Sequence, residues 1–195
     1  MPVTYTNKKR KKYYLHHGKT KTGKTKYHFL MKDNGNLVEK IPEDFEIYEH
    51  PSNAQVFLRK KQIKIITDIE NHLVNKYLKK IKSSYSYISD IKGKVITIFE
   101  SNQNNDAIRD VFNKFSIGLP KSDSFINEII DTNASYSPVM RFILLDKKQR
   151  IFTTERFCFR GSVDDWISIS EPDSLEKLLK TFIKHLGKES LFDIY

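Results

Sequence analysis

Cysteine is almost absent from this chain of 195 residues, Cys158 being the only one. No internal disulfide can therefore form, which is the usage expected in a reducing, cytoplasmic compartment. Long apolar runs are missing as well. The longest is Phe142-Ile143-Leu144-Leu145, far short of the about 20 residues a membrane-spanning helix needs. No apolar segment follows the basic residues near Met1, so a secretory signal is not expected either. There are only 7 glycines and 6 prolines, with no repeat or low-complexity tract. At 38% hydrophobic, 12% aromatic and 30% charged residues, the composition is that of a globular protein. The length suits one domain or two small ones, since domains usually hold about 100–200 residues.

Acidic residues are missing from one region in particular. The first 32 residues carry ten Lys and Arg and no Asp or Glu. Residues 1–82 hold 19 basic against 8 acidic side chains, a net of +11, whereas residues 83–195 hold 15 against 16, a net of −1. A one-sided positive field gathers polyanions, and nucleic acid is the commonest of these because binding its phosphates releases condensed counterions. Against that stands a composition effect: 27 lysines to 7 arginines, with abundant Ile and Asn, is what AT-rich coding produces without any ligand. Lys8-Lys9-Arg10-Lys11-Lys12 has the make-up of a nuclear import signal, but residues 1–11 read more simply as a solvated basic arm.

Residues Tyr13 to Ile41 alternate with period two. Tyr13 and Leu15 share a face, as do Tyr27, Phe29 and Met31, and Asp33-Asn34-Gly35-Asn36 carries a tight-turn signal before Leu37–Ile41. A three-stranded meander ending at Pro42 is expected, with two more short strands at Phe45–Tyr48 and Gln55–Arg59 around the turn His50-Pro51-Ser52-Asn53. From Lys61 the period changes. Ile63, Ile66, Ile69, Leu73, Tyr77 and Ile81 predict an amphipathic helix of about five turns, bearing Lys64, Lys76, Lys79 and Lys80 on its other side. Ser83–Asp90 is polar and reads as a boundary. Beyond it come a strand at Lys94–Phe99, helices at Asn104–Phe115 and Ser122–Ile130 separated by Gly118-Leu119-Pro120, a hairpin over 138–160, and a closing helix at 174–186 stopped by Gly187. The fold class expected is α+β: an N-terminal antiparallel β-meander followed by a long amphipathic helix (12–82), then a second antiparallel sheet covered by helices (91–195).

Gly18-Lys19-Thr20-Lys21-Thr22-Gly23-Lys24-Thr25 satisfies the phosphate-loop expression letter for letter. That loop works by joining a buried strand to a helix N-terminus. Here Lys26–Met31 alternates and reaches a turn instead, so a basic hairpin tip is the expected structure. Read this way, Lys19, Lys21, Lys24 and Lys26 project from the tip, with Tyr13, Tyr14, Tyr27, His28 and Phe29 on the adjoining strands. Ammonium groups can hold phosphates and exposed aromatic rings can stack on bases. The competing reading places the tyrosines in the hairpin's own core.

Three other constellations carry candidate chemistry. His16, His17, His28 and His50 do not form a zinc pattern, because adjacent strand residues point to opposite faces and no carboxylate or cysteine stands at ligand spacing. If Lys147-Lys148 is a two-residue loop, Leu144 faces Ile151, Phe142 faces Thr153 and Met140 faces Glu155. Arg141, Arg150, Arg156 and Arg160 then share the reverse face as an anion groove, unless they pair with Glu155, Asp164, Asp165 or helix carboxylates. Asp164-Asp165-Trp166 lacks the converging carboxylates of a metal nuclease and reads as a turn, with Trp166, Ile167 and Ile169 re-entering the core. Cys158 has no evident histidine partner and reads as packing. The leading expectation is thus a non-catalytic nucleic-acid-binding protein needing no cofactor or metal. A protein–protein adaptor is the first alternative and a phosphoesterase or nuclease the second.

Overall fold

Period-two stretches become antiparallel ladders and period-3.6 stretches become helices in the computed structural model. It describes residues 1–115, 122–160 and 163–194, and for residues 159, 160, 163 and 164 the backbone alone. In chain order the elements begin with β1 (Thr4–Thr6), β2 (Lys12–Lys19), β3 (Thr25–Leu30), β4 (Phe45–Glu49), β5 (Val56–Lys60) and α1 (Asp68–Leu78). There follow β6 (Tyr87–Lys92), β7 (Val95–Ser101), α2 (Asn105–Phe115) and α3 (Asp123–Asn133). The chain continues with β8 (Tyr136–Asp146), β9 (Ile151–Arg160), β10 (Val163–Ser168), β11 (Asp173–Ser174) and α4 (Leu175–Phe182). This is an α+β fold. No helix among the described residues is long and apolar enough to cross a membrane. The chain divides into two compact units, one of Met1–Lys61 with Phe115–Ala134, the other of Gln62–Lys114 with Ser135–Tyr195.

In the first unit β1, β2 and β3 form one sheet in that order, and β4 pairs with β5. The third strand of the meander comes from a segment not expected to supply it. Thr4–Thr6 pairs with Tyr14–Lys12, so part of the supposed solvated arm is a strand and the basic run is the loop that follows it. Asn7 makes this possible. Buried at 5% exposure, its side chain accepts from the Lys11 N–H (2.9 Å) and donates to the Ala54 carbonyl (2.8 Å). The Lys8 N–H bonds the Glu49 carboxylate, its ammonium reaches the Pro51 carbonyl, and Arg10 pairs with Glu128 at 3.4 Å. Leu37–Ile41 forms no full strand. Only Leu37 bridges to His16, while the Val38 N–H bonds Leu15 O at 2.9 Å. Leu15 uses its N–H on Val3 O in the same direction, so β1 and Asn36–Val38 compete for one edge of β2 and divide it. Leu15, Phe29 and Val56 are the buried centre of this unit.

The second unit is built on an antiparallel meander, β10-β9-β8-β7-β6, with β11 also on β9. One face of it carries Ile96, Ile98, Met140, Phe142, Leu144 and Phe152, all at 2% exposure or less. They form one core with Val74 and Leu78 of α1 and Leu175, Leu178, Leu179 and Phe182 of α4. Strand β6 falls where a polar boundary was expected. It is an edge strand, half-buried along most of its length, so neither face shows the apolar alternation that marks a strand. The hairpin Lys92↔Val95 closes it through Gly93, whose φ of 59° suits a two-residue loop.

Helix α1 is shorter than its apolar pattern suggested, spanning 11 residues. Thr67 caps it, accepting from the Glu70 N–H while the Glu70 side chain returns to the Thr67 N–H at 2.8 Å. This capping box fixes the start at Asp68 and leaves Ile63 outside the helix at 84% exposure. The buried stripe is Val74 and Leu78 rather than one including Ile69, which is 82% exposed.

Candidate nucleic-acid interface

The β2–β3 hairpin is set by a short loop with one residue in the left-handed region. Lys19 pairs with Thr25, the Thr20 N–H bonds Lys24 O at 2.8 Å, and the Gly23 N–H bonds Thr20 O at 2.9 Å. Gly23 has φ 79°, a conformation glycine adopts without penalty. Thr20 Oγ1 accepts from the Lys24 N–H at 3.1 Å and lies 3.0 Å from Thr22 Oγ1, which stiffens the tip. Thr25 opens a strand and not a helix, so no helix N-terminus faces the glycine-rich segment and a nucleotide phosphate loop is not formed.

Lys19, Lys21, Lys24 and Lys26 are all exposed. Among the described residues none of the four is in an ion pair. The aromatic residues divide by face. Tyr13, Tyr27 and Phe29 lie on the side of Leu15 and pack into the unit's core, Phe29 at 9% exposure, with the Tyr27 ring edge-on to Phe45 at 5.7 Å. These three were expected to stack on bases, and the pleat that carries Leu15 inward takes them with it. The other face carries Lys12, Tyr14, His16, Lys26, His28 and Leu30. There Lys12 Nζ sits 5.2 Å from the Tyr14 ring centre, and the His16 and His28 rings stack at 5.8 Å with 20° between planes. His16 is buried and its Nε2 meets Lys32 O at 2.9 Å, whereas Tyr14 and His28 are half-buried. Of the five aromatic candidates, Tyr14 and His28 remain on a face that a ligand could reach.

The four-arginine face does not form. Met140 pairs with Arg156, Phe142 with Thr154 and Leu144 with Phe152, one residue away from the expected register. The cause is a wider turn: Asp146 Oδ1 accepts from the Lys148 and Gln149 N–H groups, and Arg150 adopts φ 55°. A slip of one residue exchanges the two faces of β9. Arg156 is therefore on the core side at 5% exposure, donating to Phe192 O at 3.3 Å, and its Nε has no hydrogen-bond partner among the described residues. Arg141, on the opposite side, bonds Glu155 through Nε at 2.6 Å and lies 4.3 Å from the Trp166 ring centre. Arg150 stands outside the ladder and forks onto Glu70, with Nε 2.9 Å from Oε1. The Arg160 side chain lies outside the described residues, as do Gly161, Ser162 and the Gly118-Leu119-Pro120 break.

Among the described residues no three of His, Cys, Asp and Glu are grouped to hold a metal ion. Asp165 turns back onto the Trp166 N–H at 2.7 Å, and the Phe157 and Trp166 rings meet edge-on at 5.1 Å. Cys158 is half-buried and unpaired. Asn7, the residue that orders the basic loop, was missed in the sequence, where Asn before a basic run looks like an ordinary loop residue. Comparison of the chain with protein-family models, with curated proteins and with solved structures found no match.

Proposed function

We propose that the chain is a non-catalytic nucleic-acid-binding protein that grips phosphates with the β2–β3 hairpin, in a reducing compartment suited to its lone cysteine. The observation that carries this reading is the exposed, unneutralised lysine set at a tip stiffened by its own hydrogen bonds. Lysine acts as a point charge on a flexible stem, so such a tip recognises backbone charge and not base identity. With Tyr13, Tyr27 and Phe29 packed in the core, stacking is limited to Tyr14 and His28. A two-stranded ribbon of this kind fits a duplex groove better than it fits an array of splayed bases.

The test is a titration of duplex oligonucleotide at several salt concentrations, with wild type and with Lys19, Lys21, Lys24 and Lys26 replaced together by Ala. If each lysine meets one phosphate, the slope of log affinity against log salt should flatten by about 3 to 4 units. An unchanged slope removes the hairpin from the account. The adaptor reading has one observation of its own. Helix α2 buries no residue and exposes Val111 at 55% and Phe115 at 74%. It predicts that wild type binds oligonucleotide weakly even at low salt.

A further inference from the structure

The second unit holds 19 Lys and Arg against 15 Asp and Glu, a modest excess of +4, and one concavity in it gathers five of those lysines. Where α1 and α4 end, Tyr77, Ile81, Leu179 and Ile183 form the floor of a cleft of about 370 Å³. Lys80, Lys82, Lys180, Lys184 and Lys188 line the same cleft, and among the described residues no carboxylate does. Lysines in a helix's last turn answer the partial negative charge of its carbonyls, an effect that fades within a turn. That explains Lys180, in the last turn of α4, but not Lys80, Lys82 and Lys188, which lie beyond the ends of both helices. Lys180 is held by Glu176 at 2.9 Å, and Lys80 Nζ lies 5.7 Å from the Tyr77 ring centre. Lys82, Lys184 and Lys188 are in no ion pair among the described residues.

The field of this cluster is felt by a neighbour. Burial holds the His185 imidazole below its ordinary pKa, and the ammonium groups of Lys184 and Lys188 push it further down. His185 Nδ1 meets Ser190 Oγ at 2.9 Å, so its ring is fixed beside the cleft's lysines. Like charges gathered around an apolar floor repel one another and are relieved by a multiply charged anion. The cleft is also within the size range of small-ligand sites, about 300–1,000 Å³.

The geometry points to a second ligand site here, one that takes a nucleotide, with its phosphates among Lys82, Lys184 and Lys188 and its ring over Tyr77 and the isoleucines. The nucleotide can be free, as a nucleoside triphosphate, or part of a single strand. This site does not depend on the hairpin. The full chain is titrated with ATP, with inorganic tripolyphosphate and with a short single-stranded oligonucleotide while the His185 ring signals are followed by NMR across pH. ATP or the oligonucleotide should raise the His185 pKa by relieving Lys184 and Lys188, and whichever binds identifies the source. Tripolyphosphate, having no ring for the floor, should bind at least ten-fold more weakly than ATP or the oligonucleotide. Replacing Lys82, Lys184 and Lys188 with Gln should weaken binding at least ten-fold, while the four-alanine hairpin variant should leave the His185 response intact. The proposal is overturned if neither nucleotide form moves His185, if tripolyphosphate binds as well as the form that does, or if the glutamine variant binds like wild type. It is equally overturned if the hairpin variant abolishes the response.

Discussion

Glu70 ties three levels of the second unit together at one carboxylate. It closes the capping box of α1, accepts the Arg150 fork, and thereby fastens the β8–β9 turn to the helix. Burial alone would raise its pKa, but hydrogen bonds from Arg150 and from Thr67 outweigh burial and hold it below the ordinary carboxylate range. A carboxyl whose folded pKa is depressed contributes stability above the unfolded value, about 4.3 for Glu, and loses it as pH falls through the folded value. Glu70→Gln should therefore lower stability at pH 7 by about 1.5–3 kcal/mol, the range for hydrogen bonds to charged groups. Near the acid end the two proteins should converge. Urea midpoints at pH 7 and in acid decide it, and a difference that stays constant with pH would mean the carboxylate's charge is not the source. The same fork holds Arg150 at φ 55°, a conformation that costs a non-glycine residue about 1–2 kcal/mol.

At the scale of elements, what could be read from the sequence was whatever local chemistry determines. Ser122 caps α3 through the Phe125 N–H, β4 and β5 flank the expected His50–Asn53 turn, and Gly187 follows the last helical turns at φ 71°. What could not be read depended on partners remote in sequence. The third strand of the small sheet comes from Thr4–Thr6, and the loop after it is held by Asn7 on Ala54 and by Glu49 on the Lys8 N–H, partners more than 40 residues away. The tip lysines could be placed from glycine spacing. The inward turn of Tyr13 and Tyr27 required knowing which face the β4–β5 hairpin covers. The β8–β9 register failed by one residue because Asp146 widens the turn, and that single slip dissolved the arginine groove. Gly187 offers a test of element packing. A Cβ there would lie 2.6 Å from Tyr87 Oη and 2.9 Å from Ser83 Oγ, whereas at Gly93, φ 59°, it would meet nothing within 4 Å. Tyr87 cannot easily yield, since its hydroxyl donates to Glu100 at 2.6 Å. Gly93→Ala should lose only the backbone term, about 1–2 kcal/mol. Gly187→Ala should lose clearly more in the same urea series, and equal losses would show that Tyr87 moves aside freely.

Across the whole molecule the two units are unequal in what holds them. Among the described residues seventeen buried apolar side chains form one core in the second, whereas the first buries seven, Leu15, Phe29, Ala54, Val56, Ile126, Ile130 and Ala134, of which Leu15, Phe29 and Val56 form its central cluster. Small cores leave little surplus over chain entropy, so local opening should be concentrated in the first unit. Native-state hydrogen exchange should find the amides of β2 and β3 opening at lower free energy than those of β7 and β8. Uniform protection would refute this ordering. The inequality also makes ligand binding readable, because a ligand that binds only the folded form adds about 2.7 kcal/mol at a hundred times its dissociation constant. Duplex oligonucleotide held by the hairpin should slow exchange in β2 and β3 and leave α1 and α4 unchanged. A nucleotide in the lysine cleft should do the reverse. If duplex instead protects both units equally, the hairpin cannot be its only point of attachment, and phosphate contacts must then be sought on the second unit as well.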